Sequence, residues 1–319
     1  MNVESLIYFN MSDITNKKEE LFVEPVYGDT DSTYFSYNHL LETIEGIESM
    51  STQDKLNILI KLNTEFLDGH NREFMNDYYK GRHGSSVQNY ELETINLSGV
   101  WLDVKKRYAQ ILLWKDGKTY DADSLPLKIK GLEMIKSSVP TQAREGLKRM
   151  VRYLLEDDDP SYIVQRLNIK MQEEKEKFFA APIEDICGSV GINGYDKYIA
   201  SDTDPSGLKV NPKCPFNVRA LGMYNWIRQK YDLSGEPLYG GSKFKWYMFY
   251  PTGAARTKDP QYFAFQRGRL PKWVSQYAPI SKELMFEHFM IDPFNRILEA
   301  IGYQPLNPDG SIQMNLFGI

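Results

Sequence analysis

A chain of 319 residues that is 42% hydrophobic and 13% aromatic can bury a sizeable core, as one large domain or two modest ones, and is not a disordered chain. Its two cysteines and four scattered histidines form neither a disulfide framework nor a metal site, no apolar run approaches a membrane span, and no cationic start precedes an apolar run at the amino terminus, so no membrane partner is expected and a reducing cytoplasm is. The net charge of −5 argues against a general nucleic-acid binder, but the charge is uneven. Residues 1–104 hold 7 basic against 18 acidic side chains, whereas residues 105–152 hold 12 against 5. Residues 208–231 carry five basic residues and no acidic one, and residues 240–273 carry seven with only Asp259 opposing. These cations interleave with Tyr, Trp and Phe, a pattern that suits a phosphate backbone as well as an ordinary solvated face.

In chain order, Leu21-Phe22-Val23 running into Tyr27, then Thr33-Tyr34-Phe35 after Gly28-Asp29-Thr30-Asp31, predict a β-hairpin with aspartates at its tip. Residues 51–79 read as one long helix, with Leu56, Leu59, Ile60, Phe66, Leu67, His70, Phe74 and Tyr78 at helical spacing. Ser51 and Asp54 form a capping pair and Gly81 a stop. Strands follow at 90–96, 100–104 and 108–114, and Asp116-Gly117 signals a hairpin into 118–120. Helices are expected from Pro140 (face Ala143, Leu147, Val151, Leu154), from Pro160 after the break at residues 157–159 (Ile163, Leu167, Met171), and from Pro215 (Val218, Leu221, Tyr224, Ile227). A strand is expected at 244–250 and a helix at 281–301, broken at Asp292-Pro293. Residues 304–319, rich in Pro, Asn and Gly, read as a flexible tail.

Asp29 and Asp31, one residue apart beside a strand end, can face one way and offer hard oxygens to Mg²⁺, although turns are rich in aspartate for purely conformational reasons. Lys105-Lys106-Arg107-Tyr108 on one strand is equally an edge strand kept soluble by charge. Together, Tyr27-Gly-Asp-Thr-Asp-Ser32 resembles motif C of family B DNA polymerases, and Lys105–Tyr108 resembles their Lys-Lys-Arg-Tyr segment at the palm–thumb junction. The order of motif C, long helix, β stretch and Lys-Lys-Arg-Tyr strengthens the likeness, as do residues 127–140 and 212–219, which are similar to thumb passages in replicative polymerases of large tailed bacteriophages.

The resemblance implies an α+β fold: a palm fragment at 1–131 with antiparallel strands and a long helix, a mainly helical thumb at 132–303, and a tail at 304–319. It implies catalytic, metal-binding roles for Asp31 and Asp29 with two Mg²⁺ ions, minor-groove contact by Lys105, Lys106, Arg107 and Tyr108, and primer-backbone contact by Lys136, Ser137, Ser138 and Lys213. Gln313, Leu316 and Phe317 resemble a sliding-clamp-binding peptide; the alternative is that Leu316 and Phe317 fold back on the thumb. The family's motif A aspartate, fingers Lys and Asn-Ser-x-Tyr-Gly sequence, and exonuclease carboxylates are not found in these 319 residues. The implied protein is one subunit of a split polymerase in a host bacterial cytoplasm, binding DNA primer-template and dNTP with an amino-terminal polymerase chain and inactive without it. A non-catalytic DNA-binding or clamp-tethered remnant and a truncated reading frame are the alternatives. Phe244, Trp246, Tyr247 and Phe249 read as core rather than as a base-stacking platform.

Overall fold

The computed structural model describes residues 24–29, 32–80, 91–157, 159–198, 213–250 and 260–307, with the backbone alone for Asp29 and a few others. The fold is α+β with antiparallel sheets. The chain divides into two compact units between Ile129 and Lys130.

In the first unit, β1 (Glu24–Asp29) and β2 (Ser32–Ser36) form the expected antiparallel hairpin, with Asp29 opposite Ser32 at its closed end. The short helix α1 (Asn38–Glu42) follows. The long helix comes in three parts: α2 (Thr52–Lys61), a π-helical turn (Leu62–Leu67) and α3 (Asp68–Lys80). Its start is as the sequence predicts, since the Ser51 hydroxyl accepts from the Asp54 N–H at 3.2 Å and donates to the Asp54 carboxylate at 2.7 Å. The widening was not foreseen. Asn63 Nδ2 donates to the Leu59 carbonyl at 2.8 Å and Thr64 Oγ1 to the Ile60 carbonyl at 2.9 Å. Side chains thus occupy carbonyls that backbone N–H groups use in a regular helix. Gly81 lies outside the described residues.

Two of the predicted strands are one. β3 (Thr94–Trp101) pairs antiparallel with β4 (Tyr108–Lys115), with register shifts near Asn96. Asp116 and Gly117 both have positive φ, 45° and 84°, and turn β4 into β5 (Lys118–Thr119), as an Asp-Gly hairpin requires. β6 (Leu127–Lys130) pairs with β4. Leu56 and Leu59 of α2 pack with Ile95 and Trp114 of this sheet, so the helix is fixed by a buried apolar face.

In the second unit, α4 (Thr141–Glu156) and α5 (Ile163–Ala180) bury the predicted faces, including Leu147, Val151, Leu167 and Met171. Between them Glu174, 5% exposed, takes both Arg149 Nε and Nη2 at 2.8 and 2.6 Å, and Lys177 Nζ at 2.8 Å. Burial opposes ionisation of Glu174, but these cations outweigh it and hold the carboxyl below its ordinary range.

A mainly helical second unit was expected; it also contains a three-stranded antiparallel sheet. After α6 (Ile183–Ile186), β7 (Gly188–Ile192) pairs with β8 (Gly241–Phe249), which pairs with β9 (Gln261–Gln266). The short helix α7 (Tyr195–Tyr198) follows β7. Gly188 sits against Trp246, and a Cβ there would lie 2.4 Å from the indole nitrogen, which is why a glycine interrupts the apolar pattern. Tyr247, Phe249, Phe263 and Phe265 are all 0% exposed, and Phe244 and Trp246 are buried, so these rings are core as the sequence suggests. α8 (Phe216–Lys230) packs on β9, with Tyr224 5.8 Å from Phe263 between ring centroids.

The carboxy-terminal helix has α9 (Val274–Tyr277) before it and runs as α10 (Lys282–Phe286), a π-helical turn (Glu287–Ile291) and α11 (Asp292–Ala300). The expected break at Asp292-Pro293 is instead absorbed by the wide turn ahead of Pro293. That turn accommodates a ring that has no N–H and would crowd the preceding turn's carbonyl. Residues 304–307, expected to be flexible, run against α11. Leu306 is buried, and its N–H and carbonyl are both bonded to the Asn295 amide at 2.8 Å.

Candidate nucleic-acid interface

In the first unit the backbone of β1 carries Tyr27, Gly28 and Asp29 to the closed end of the hairpin. Thr30 and Asp31, and the side chain of Asp29, lie outside the described residues. The Tyr27 hydroxyl accepts from the Lys106 backbone N–H at 2.7 Å, across 79 residues of sequence.

Lys105, Lys106 and Arg107 lie between strands, as the bounds 100–104 and 108–114 imply, and not on the edge strand of the alternative reading. They sit in the turn between β3 and β4, whose base is closed by the Leu102 N–H on the Arg107 carbonyl at 3.0 Å; only Tyr108 enters β4. Lys106 has φ 63°, a left-handed conformation that costs a non-glycine residue roughly 1 kcal/mol. Lys105 and Lys106 are exposed at the turn tip.

Tyr108, 5% exposed, anchors the turn from below. Its ring lies 5.9 Å from Tyr27 and 5.8 Å from Tyr34, and Trp101 is 5.4 Å from Tyr34. Burial, then the hydrogen bond with Tyr34, pushes the Tyr108 phenol far above its ordinary value, so it stays neutral. This aromatic cluster joins the hairpin to the base of the cationic turn. No sequence reading joins Tyr27, Tyr34 and Trp101 to Tyr108; the available signal is the alternation Tyr108, Gln110, Leu112, Trp114, which puts Tyr108 on the strand face that carries the core. On that face Gln110 is 0% exposed, and neither its amide nitrogen nor its oxygen has a hydrogen-bond partner.

In the second unit Lys136, Ser137 and Ser138 are exposed ahead of α4. Lys136 Nζ is 3.2 Å from the Glu133 carboxylate, which also meets Arg296 at 3.4 Å. The Ser138 carbonyl accepts from the Ser189 N–H of β7 at 2.9 Å. The exposed Lys213 lies two residues before Pro215, which opens α8, and Asn217 of α8 donates to the Gly191 carbonyl of β7 at 3.0 Å. The segments carrying Lys136–Ser138 and Lys213 are therefore both fastened to one strand. Gln313, Leu316 and Phe317 lie outside the described residues. Among the described residues no cluster of three or more His, Cys, Asp or Glu side chains could hold a metal, and no helix is long and apolar enough to cross a membrane.

No protein-family model matches the sequence. The DNA-directed DNA polymerase of Escherichia phage RB69 is 27% identical over 232 residues, covering 70% of this chain and 24% of that protein. That of Enterobacteria phage T4 is 25% identical over 294 residues, covering 86% of this chain and 30% of that protein. The chain is a relative of the phage family B DNA polymerases. It spans less than a third of the length of these polymerases.

Proposed function

We propose that this chain supplies the motif C carboxylates and the duplex-gripping thumb of a family B DNA polymerase, working in template-directed nucleotidyl transfer with a second polypeptide that carries motif A, the fingers and the exonuclease. One observation supports this reading above the rest: the hairpin ending at Asp29 and the Lys105–Tyr108 segment meet through Tyr27, although 79 residues separate the bonded groups. On this reading residues 1–131 are a palm fragment, 132–303 the thumb and 304–319 a clamp-binding tail.

Asp29 and Asp31 would hold Mg²⁺; two hard carboxylates one residue apart in sequence suit an ion that keeps waters and shares phosphate oxygens. Two such ions, when bound, supply activation of the primer 3′ hydroxyl and charge stabilisation at the leaving oxygen of the dNTP. Lys105 and Lys106 present donors to minor-groove acceptors common to all base pairs, so they grip primer-template DNA without reading its sequence. Lys136, Ser137, Ser138 and Lys213 meet the primer backbone, for which Lys136 must exchange its Glu133 partner for phosphate. Gln313, Leu316 and Phe317 engage a sliding clamp, and deleting residues 312–319 costs only clamp-stimulated product length. The enzyme works in a host bacterial cytoplasm.

The test is primer extension by this chain combined with a polypeptide carrying motif A. Asp31→Ala abolishes synthesis while duplex binding survives, and Asp29→Ala is milder. Near-normal rates in both variants with Mg²⁺ would show that the hairpin is not the metal site. Duplex binding with no synthesis under any pairing points to a DNA-binding remnant instead.

A further inference from the structure

We propose that Tyr27 is a positioning residue: its hydroxyl tethers the Lys106 backbone and so fixes where the cations of the β3–β4 turn stand relative to the strand that carries Asp29. The inference rests on the polymerase reading above and adds a residue to it. Three observations carry it. The Tyr27 hydroxyl accepts from the Lys106 N–H at 2.7 Å, a side-chain bond to the exposed tip of the turn. Lys106 holds φ 63° there, a conformation that favours glycine or asparagine, so the turn needs an outside contact to keep a lysine in it. The Tyr27 ring is itself fixed by Tyr34, at 6.1 Å, and by Tyr108, at 5.9 Å, so the hydroxyl is presented by a rigid support.

The arrangement separates two functions in one side chain. The ring packs and the oxygen tethers. Tyr27 lies two residues before Asp29 in β1, so one hydrogen bond links the backbone of the hairpin end to the backbone of the cationic turn. A turn free to relax toward an ordinary lysine conformation would swing the Lys106 Nζ away from the place that a primer end requires. The cost falls on orientation, not on charge, because the cation itself remains.

Tyr27→Phe keeps the ring and removes the acceptor, which makes it the discriminating variant. The experiment uses the full chain. It measures amide hydrogen exchange at Lys106, the melting temperature, and affinity for a fluorescent duplex with a recessed 3′ end, in wild type, Y27F, K106A and the double variant. Y27F should speed exchange at the Lys106 amide, leave the melting temperature nearly unchanged, and weaken primer-end binding roughly two- to tenfold. In the K106A background it should weaken binding less than about twofold, since the side chain it positions is gone. A merely structural role predicts the opposite, with the Y27F and K106A losses adding in full. That additivity, an unchanged Lys106 exchange rate, or equal duplex binding by wild type and Y27F each overturn the inference while leaving the polymerase reading intact. A wild-type chain that binds no duplex overturns both.

Discussion

The β1–β2 hairpin and the β7–β8–β9 sheet are both antiparallel, yet they relate to the protein in opposite ways. In the second sheet Tyr247, Phe249, Phe263 and Phe265 are 0% exposed, and α8 covers β9. In the hairpin Val26 and Phe35 are 44% and 48% exposed, and among the described residues each strand pairs only with the other. A two-stranded ribbon is marginal alone, so this one leans on the ring cluster around Tyr108 and on the Lys106 tether. The difference separates a sheet that exists to fill a core from one that exists to hold a tip. On the proposed reading the tip carries the motif C aspartates, and the exposed Val26 and Phe35 would meet the rest of a palm sheet in the partner chain.

The largest effect that can break this contrast comes from truncating one ring in each sheet. Phe263→Ala should cost about 3–5 kcal/mol in denaturant unfolding, because a fully buried ring leaves a cavity. Phe35→Ser should cost less than about 0.5 kcal/mol in the isolated chain, as exposed substitutions do. It should, however, weaken assembly with a polypeptide carrying motif A. Similar costs at the two sites would show that the hairpin is part of a closed core.

A smaller effect sharpens the account of the second unit. The Glu174 carboxyl is held below its ordinary value of 4.5 in the folded state, so its contribution is present above that value and is lost as pH falls through the folded value. Arg149→Ala should cost about 1–2 kcal/mol at neutral pH, discounted because Arg149 is half exposed and Lys177 remains. The stability of wild type should fall below pH about 4.5 more steeply than that of Glu174→Gln, measured by urea unfolding at a series of pH values. Parallel pH profiles would mean that the pair contributes nothing net.

A further effect concerns the β3–β4 sheet. Gln110→Met should be neutral or stabilising by about 1 kcal/mol, since it removes a buried amide without a partner and keeps the volume. A clear destabilisation would reveal a bound water or another polar group that the amide serves.

How much of this was legible in the sequence varies with the range of the interaction. The hairpin, the Ser51 cap, the Asp116-Gly117 turn and the helix faces of α4, α5 and α8 depend on neighbours in the chain and were read correctly. The π-helical turns were not, because Asn63 and Thr64 look like ordinary helix surface until their side chains bond to the carbonyls of Leu59 and Ile60. β7 was hidden by Gly188 and Gly191, residues that weaken a strand pattern but leave room for the Trp246 ring at Gly188. Lys105–Arg107 fall between the strands expected at 100–104 and 108–114, but lysine carries no local signal for φ 63°. Tyr27 bonds to the backbone of that lysine, and nothing in the spacing of two residues 79 apart announces it.

The central claim is that the hairpin and cationic turn form one half of a polymerase centre. Its most direct test is primer extension with this chain titrated into a fixed amount of a polypeptide carrying motif A, the fingers and the exonuclease. We expect no synthesis by this chain alone, synthesis that rises and saturates near one-to-one stoichiometry, and no rise with the Asp31→Ala chain. Template-directed synthesis by this chain alone, or an equal rise with wild type and Asp31→Ala, contradicts it.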